Sequence, residues 1–89
     1  MLLTTAPKAQ HLRFTVRTTF DTARAEALFA SALQPSDRPS PAQVRAAITS
    51  TLRQRGIRGC AAHLAGEFGD DPEAAAGRMR WAIAVTQAI

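Results

Sequence analysis

The sequence predicts a single, mainly helical domain of about four helices, preceded by one β-strand that pairs across a homodimer. Two observations predict this fold. Apolar residues recur with helical spacing over most of residues 21–89, in segments that proline and glycine interrupt. A short segment in which apolar and polar residues strictly alternate precedes them. Since a chain of 89 residues has room for one core, we expect residues 1–10 to be a flexible leader and residues 11–89 to be the domain.

The segment HLRFTVR has the alternation that is typical of a half-buried β-strand. One face carries Leu12, Phe14 and Val16, and the other carries His11, Arg13, Thr15 and Arg17. A lone strand leaves its backbone hydrogen-bonding groups without partners. The segment is therefore an extended tail, a cover for its own helices, or half of a ribbon formed with a second copy. Because its apolar side chains need cover, we expect the ribbon, with Leu12, Phe14 and Val16 at a dimer interface.

The first two helices are predicted by apolar stripes and by their end signals. The first runs from Asp21 to Leu33, with Asp21 or Thr19 as its cap, and Pro35 ends it. Its inward face contains Ala25, Leu28, Phe29, Ala32 and Leu33. After the loop QPSDRPSP, the second helix runs from Pro41 to Arg55. Its signals are a capping box formed by Ser40 and Gln43, Pro41 at the first helical position, and Gly56 just past the end.

A short linker, IRG, leads to a third helix that we expect from Cys60 to Phe68, with Gly69 ending it. Asp71 then caps a fourth helix that reaches almost to Ile89. This helix is apolar on two sides, formed by the pairs Met79 with Ile83 and Trp81 with Val85. Two apolar stripes indicate a central helix or one shared with a partner, so we add Trp81 and Val85 to the predicted dimer interface.

The charge balance is the first indication of function. The chain has 11 lysines and arginines against 7 acids, a net charge of +4, and a pI near 11.1. Arginine suits phosphate and base recognition because its planar group donates paired hydrogen bonds, although a GC-rich coding bias also explains the arginine content. Between Arg38 and Gly66 the chain has arginines and no acid. Arg53, Arg55 and Arg58 predict a phosphate-contacting patch, or they simply complement a helix C-terminus.

The order of strand, helix, loop and helix resembles that of the ribbon-helix-helix DNA-binding proteins. The resemblance covers HLRFTVR and the helices Asp21–Leu33 and Pro41–Arg55, roughly half of the chain. It implies that Arg13, Thr15 and Arg17 read bases from the outer face of the ribbon. It also implies that the backbone amides after Ser40, helped by Arg38, hold a phosphate. The loop is longer than that family's usual turn, residues 57–89 are additional, and a simply solvated strand face is the alternative interpretation.

The stretch CAAHLAGEFGDDPEAAAGRMRWA resembles a helix-turn-helix, with Ala65 four residues before Gly69 at the turn. The resemblance implies that the last helix presents Arg78 and Arg80 to DNA. Four acids lie near this turn, namely Glu67, Asp70, Asp71 and Glu73. They would repel phosphates, and they are also the residue types that cap a helix and complement its dipole.

These observations together favour a small DNA-binding protein, a transcriptional or nucleoid-type regulator that contacts DNA through arginines and acts as a homodimer. The alternative is a non-enzymatic protein-protein interaction module, a helical adaptor or a regulator of a larger partner, which the two-sided fourth helix suggests. The chain has no nucleophile–base constellation and no phosphate-binding glycine loop, so we expect no enzymatic activity and no cofactor.

Cys60 and His63 stand three residues apart, but a structural zinc site needs four ligands, so we expect no metal. One cysteine excludes an internal disulfide and suggests a reducing compartment. No apolar run is long enough to span a membrane, and the opening residues do not have the pattern of a secretory signal. We therefore expect a cytoplasmic protein with no membrane partner.

Overall fold

A computed structural model of the chain describes residues 20–89, which form three helices and one short 3-10 turn. Helix α1 comprises residues 20–30, α2 is Pro41–Asp70, and α3 is Pro72–Ala88. The 3-10 turn, Pro35–Asp37, lies in the loop between α1 and α2. No helix within residues 20–89 is long and apolar enough to cross a membrane.

The predicted fold class is wrong in its combination of a strand with four helices. The part of the chain that the structure describes is helical and contains no strand. The strand predicted over residues 11–17, and with it Leu12, Phe14 and Val16 as interface residues, lies outside the described residues. The number of helices is three because the predicted second and third helices are the two halves of α2.

Gly56 explains why the expected linker is absent. Its backbone has φ 73° and ψ 171°, a non-helical conformation inside α2, and the helix continues directly on both sides. Gly56 therefore interrupts the helix with one residue, where the sequence predicted an end followed by the linker IRG. Glycine allows so short a break because its lack of a Cβ opens this region of backbone conformation.

The predicted helix starts at Pro41 and after Asp71 are confirmed. The Ser40 hydroxyl accepts a hydrogen bond from the Gln43 amide at 3.1 Å, and the Gln43 side chain accepts one from the Ser40 amide at 2.8 Å. The Asp71 carboxylate accepts from the Ala74 amide at 3.2 Å and begins α3. At α1, Phe20 is already helical, so Asp21 is not the cap.

α1 lies at the centre of the domain. Three consecutive residues, Ala27, Leu28 and Phe29, are at most 2% exposed. Successive helical residues point about 100° apart, so their joint burial requires neighbours on more than one side of the helix. The sequence interpretation did not predict this burial of α1, and it singled out the fourth helix as central or shared with a partner.

In the predicted two-sided helix, α3, the fully buried residues are small, and Met79 packs against the core from its other side. Ala75, Ala82 and Thr86 are buried, whereas Ile83 is 40% exposed. The predicted interface residues Trp81 and Val85 are half-buried and pack against the core of their own chain. Both apolar sides therefore contribute to the monomer, and α3 lies at its surface.

We expect Gly56→Ala to lower the free energy of unfolding by about 1–3 kcal/mol, because non-glycine residues are strained at this φ and ψ. A Cβ at Gly56 would meet no atom within 4 Å, so the loss is one of backbone conformation. Thermal denaturation would measure it as a lower midpoint, by roughly 4–8 °C for each kcal/mol.

Gly66→Ala is the matched control, because Gly66 is helical, exposed, and equally open to a Cβ. It should stabilise the protein by about 0.5–1 kcal/mol, since alanine favours a helix interior. Equal effects of the two substitutions would contradict the break at Gly56.

Candidate nucleic-acid interface

Apart from Arg24, which is half-buried and ion-paired with Asp21, the arginines of the described residues fall into two groups, one hydrogen-bonded within the fold and one exposed. Arg78 on α3 belongs to the first group. Its Nε donates to the Phe29 carbonyl oxygen at 2.9 Å, and its Nη2 donates to the carbonyl oxygens of Ser31 and Leu33 at 3.0 and 2.8 Å. Phe29 lies in the last turn of α1, and Ser31 and Leu33 follow it, at the end where a helix leaves acceptors unpaired. Arg78 therefore caps α1 from another helix.

Two aromatic rings complete the surroundings of Arg78. Its Cζ lies 5.7 Å from the ring centroid of Phe29 and 5.1 Å from that of Trp81, within the range of cation–π attraction. The Phe29 ring also stacks on that of Phe68 in α2, with 6.4 Å between centroids. Burial lowers the pKa of Arg78, and the negative charge of Glu67 opposes this shift. The Arg78 clamp, by which we mean Arg78 with Phe29, Trp81 and the three carbonyls, thus joins α3 to the end of α1, and the Phe29–Phe68 stacking connects it to α2.

The exposed group is concentrated on the first half of α2. Arg45, Thr49 and Arg53 follow each other at intervals of four residues and so share one stripe of the helix. Ala46, Ser50 and Gln54 form the adjacent stripe. Together these six residues line a shallow depression of about 540 Å³. We call this surface the α2 outer face.

The α2 outer face belongs to a stretch of the chain that carries basic residues and no acidic ones. From Arg38 to Gly66 there is no acidic residue. Within residues 20–89 the one ion pair joins Arg24 and Asp21, at 3.8 Å between Nη1 and Oδ1. The guanidinium groups of Arg45 and Arg53 are exposed and make no ion pair in that range. They are therefore available to an anion from solution.

The other predicted arginines of α2 lie beside the kink. Arg53, Arg55 and Arg58 are all exposed, so the structure brings the predicted patch to the surface. Arg55 is also close enough to the buried thiol of Cys60 to influence its ionisation. Burial raises the pKa of Cys60, the charge of Arg55 opposes that rise, and the charge of Glu26 adds to it.

The predicted phosphate site after Ser40 has few donors left. Pro41 has no amide hydrogen, and the amides of Gln43 and Val44 donate to Ser40. Among the first helical residues this leaves the Ala42 amide. Arg38 is exposed and has φ 46° in the left-handed region, just before the helix start. A phosphate here would therefore depend mainly on the Arg38 side chain.

The two predicted DNA-reading segments have different outcomes. Arg13, Thr15 and Arg17 of the ribbon lie outside the described residues. In the helix-turn-helix-like segment, Asp71 is the single non-helical residue between α2 and α3, which is shorter than the usual turn of three or four residues. Arg80 is exposed on α3, whereas the guanidinium of Arg78 is bound to carbonyls of its own chain. The acids Glu67, Asp70, Asp71 and Glu73 are exposed at the joint.

Cys60 and His63 have separate surroundings. Cys60 is a free, buried cysteine. His63 is half-buried with its ring edge-on to Phe29, at 6.1 Å between centroids. Within residues 20–89, no group of three or more His, Cys, Asp or Glu residues is placed to hold a metal ion.

Comparison with known proteins gives no family model, curated protein or solved structure that matches this chain. The site is therefore defined by its own geometry. The sequence interpretation included Arg45 only as part of the acid-free stretch, and it missed Thr49 and Gln54. Their spacing on the polar side of α2, opposite the buried Val44 and Ile48, is the signal that identifies them.

We expect Arg78→Lys to lower the free energy of unfolding by about 2–3 kcal/mol, because lysine keeps the charge but cannot donate to all three carbonyls in the same plane. Denaturant unfolding followed by circular dichroism measures this. Arg80→Lys makes the same chemical change at an exposed position on α3 and should stay within about 0.5 kcal/mol of the unaltered protein. Equal stability of the two variants would show that the clamp does not support the fold.

Proposed function

We propose that this protein binds duplex DNA through the α2 outer face. The observation that carries the proposal is the pair of exposed arginines, Arg45 and Arg53, on one stripe of a helix in an acid-free stretch. A DNA-binding regulator is also what the sequence predicts. The proposal moves the contact from the predicted ribbon and last helix to α2.

The dimensions of the α2 outer face suit the major groove of B-DNA. Eight residues separate Arg45 from Arg53, which corresponds to about 12 Å along a helix axis. The major groove is about 12 Å wide and admits one α-helix. Arginines at that separation can therefore reach phosphates or base edges at two points along the groove.

The side chains between the arginines are small or polar, which allows the helix to approach the duplex closely. Ala46 and Ser50 leave room beside the backbone of α2. Thr49 and Gln54 offer hydrogen-bonding groups, and glutamine can pair with adenine in the major groove. No large apolar side chain lines this depression. The surface therefore combines charge with hydrogen-bonding side chains, as direct readout requires.

The same dimensions favour DNA over double-stranded RNA. An A-form RNA helix has a deep and narrow major groove that side chains do not read. A helix that presents arginines along about two turns needs a wider groove. We therefore expect B-form DNA to bind more tightly than an RNA duplex of the same length.

We expect Arg45→Ala and Arg53→Ala each to weaken DNA binding by about tenfold, with a further loss in the double variant. Each substitution should also reduce the slope of log affinity against log salt by about one, because each removes one phosphate contact. Fluorescence anisotropy with a labelled random-sequence duplex at several salt concentrations measures both quantities.

Arg80→Ala is the matched control, because it removes the same charge from an exposed position on α3. Its affinity should stay within about twofold of that of the unaltered protein. Equal losses of affinity for Arg80→Ala and Arg53→Ala would show that the net charge of the protein, and not the α2 outer face, determines DNA binding. A loss confined to Arg80→Ala would place the contact on α3, and undetectable binding of the unaltered protein at low salt would reject DNA as the ligand.

A further inference from the structure

We infer that the groove between α1 and the first half of α2 binds an acidic amphipathic helix of a partner protein. The groove has a volume of about 370 Å³ and an apolar lining formed mainly by Phe20, Ala23, Ile48, Leu52 and Ile57. It lies on the opposite side of Thr49 from most of the α2 outer face. The inference does not depend on the proposed DNA binding.

Two side chains make this groove unusual for the surface of a small domain. Phe20 is 71% exposed and Ile57 is 64% exposed. Exposed large apolar residues that lie together in a concave surface are typical of interaction sites, whereas isolated ones are ordinary. Ile83 on α3 is less exposed, at 40%, and lines a different groove.

The charges around the groove indicate the chemistry of the partner. Two arginines line it and no acid does. Arg45 is exposed on the α2 side and makes no ion pair within residues 20–89, whereas Arg24, with its Cζ 5.8 Å from the Phe20 ring centroid, is ion-paired with Asp21. A ligand that covers the apolar floor therefore meets the free guanidinium of Arg45 on one side and the ion-paired guanidinium of Arg24 on the other. An apolar stripe flanked by carboxylates has the complementary pattern.

The shape of the groove favours a helix as the ligand. Two helices form its walls, and amphipathic helices commonly bind in such grooves through apolar residues at positions i, i+3 or i+4, and i+7. Phe20 and Ile57 provide two separated apolar contacts for those anchors, and Ile48, which is 6% exposed, belongs to the core beneath them.

The same charges disfavour the two other occupants that the chain itself could supply. A second copy across a two-fold axis would bring the same arginines, Arg24 and Arg45, towards their counterparts. The segment over residues 11–17 carries Arg13 and Arg17 and no acid. Both arrangements place like charges together, which is unfavourable at an interface.

Arg45 and Thr49 line both the groove and the α2 outer face. A helix in the groove would place its carboxylates near Arg45, where the proposed DNA contact also lies. The partner would therefore compete with DNA for this residue. Arg53 lines only the outer face, so the two surfaces can be separated by mutation.

The test uses the full chain and two synthetic peptides of about four helical turns. Both carry leucines at i, i+3, i+7 and i+10, and they differ only in having glutamate or lysine at the flanking positions. Fluorescence anisotropy should show binding of the glutamate peptide and none of the lysine peptide. Ile57→Ser should weaken binding by about tenfold or more, because it removes a central apolar contact.

Ile83→Ser is the matched control, since it makes the same change at the other exposed isoleucine, and it should leave peptide binding unchanged. Arg53→Ala should also leave it unchanged, whatever its effect on DNA binding, so failure of one proposal is distinguishable from failure of the other. Unaltered far-ultraviolet circular dichroism and thermal midpoints would show that each variant is folded.

Three results would overturn the inference. The first is that the glutamate peptide does not bind, or binds Ile57→Ser as well as the unaltered chain. The second is a solution mass of two chains that falls to one in Ile57→Ser, which would assign the groove to a second copy. The third is a set of crosslinks between residues 11–17 and Ile57 in the monomer, which would assign it to the chain's own N-terminal segment.

Discussion

The Arg78 clamp is the interaction on which the rest of this structure depends. One guanidinium donates to three carbonyls in and just after the last turn of α1 and lies against the rings of Phe29 and Trp81. A domain of this size has a small core, so contacts that join several helices contribute a large share of its order. The clamp holds the end of α1, the helix that carries the deeply buried residues Ala27, Leu28 and Phe29.

The clamp also separates the arginines by role. The guanidinium of Arg78 donates hydrogen bonds to its own chain, whereas those of Arg45 and Arg53 are exposed to solvent. Composition alone gives these residues the same status, because it records only their charge. The surrounding atoms decide which of them can meet a ligand. The excess of arginine therefore has at least two physical explanations in one chain, one in the fold and one at the surface.

Local signals in the sequence predicted the starts of α2 and α3, but not the end of α1, which lies at residue 30 and not at Leu33. Ser40 and Asp71 cap the helices as expected because a cap depends on residues within one turn. The sequence correctly predicted a break at Gly56 but not the length of that break. A one-residue interruption and a full linker both begin with the same glycine signal. The central position of α1 was missed because Ala27 and Ala30 extend its buried surface without forming an obvious second stripe.

The candidate site was predictable only in part, for a related reason. The acid-free stretch that holds Arg45 and Arg53 is visible in the sequence, and so is the amphipathic pattern of α2. The sequence does not show that Arg78 is hydrogen-bonded within the fold, because its partners Phe29, Ser31 and Leu33 are more than 40 residues away in the chain. The groove beside Ile57 was also not predicted. Whether a residue next to a kink is exposed or buried depends on the directions of the two helix halves, which the sequence does not show.

Basic and acidic residues are distributed unevenly along the sequence. The first half of α2 is basic, and the joint between α2 and α3 is acidic through Glu67, Asp70, Asp71 and Glu73. These acids complement the start of α3 and lie apart in sequence from the α2 outer face. A polyanion would accordingly approach with α2 towards it, because the acidic joint repels it and the basic helix attracts it.

The division between Arg78 and the arginines of α2 can be observed directly by NMR. The Nε–Hε signals of the arginines would be followed while a DNA duplex is added to the labelled protein. The account predicts that Arg78 gives a signal protected from exchange before DNA is added and unchanged afterwards, whereas Arg45 and Arg53 shift. Shifts at Arg78 or Arg80, with Arg45 and Arg53 unaffected, would contradict it.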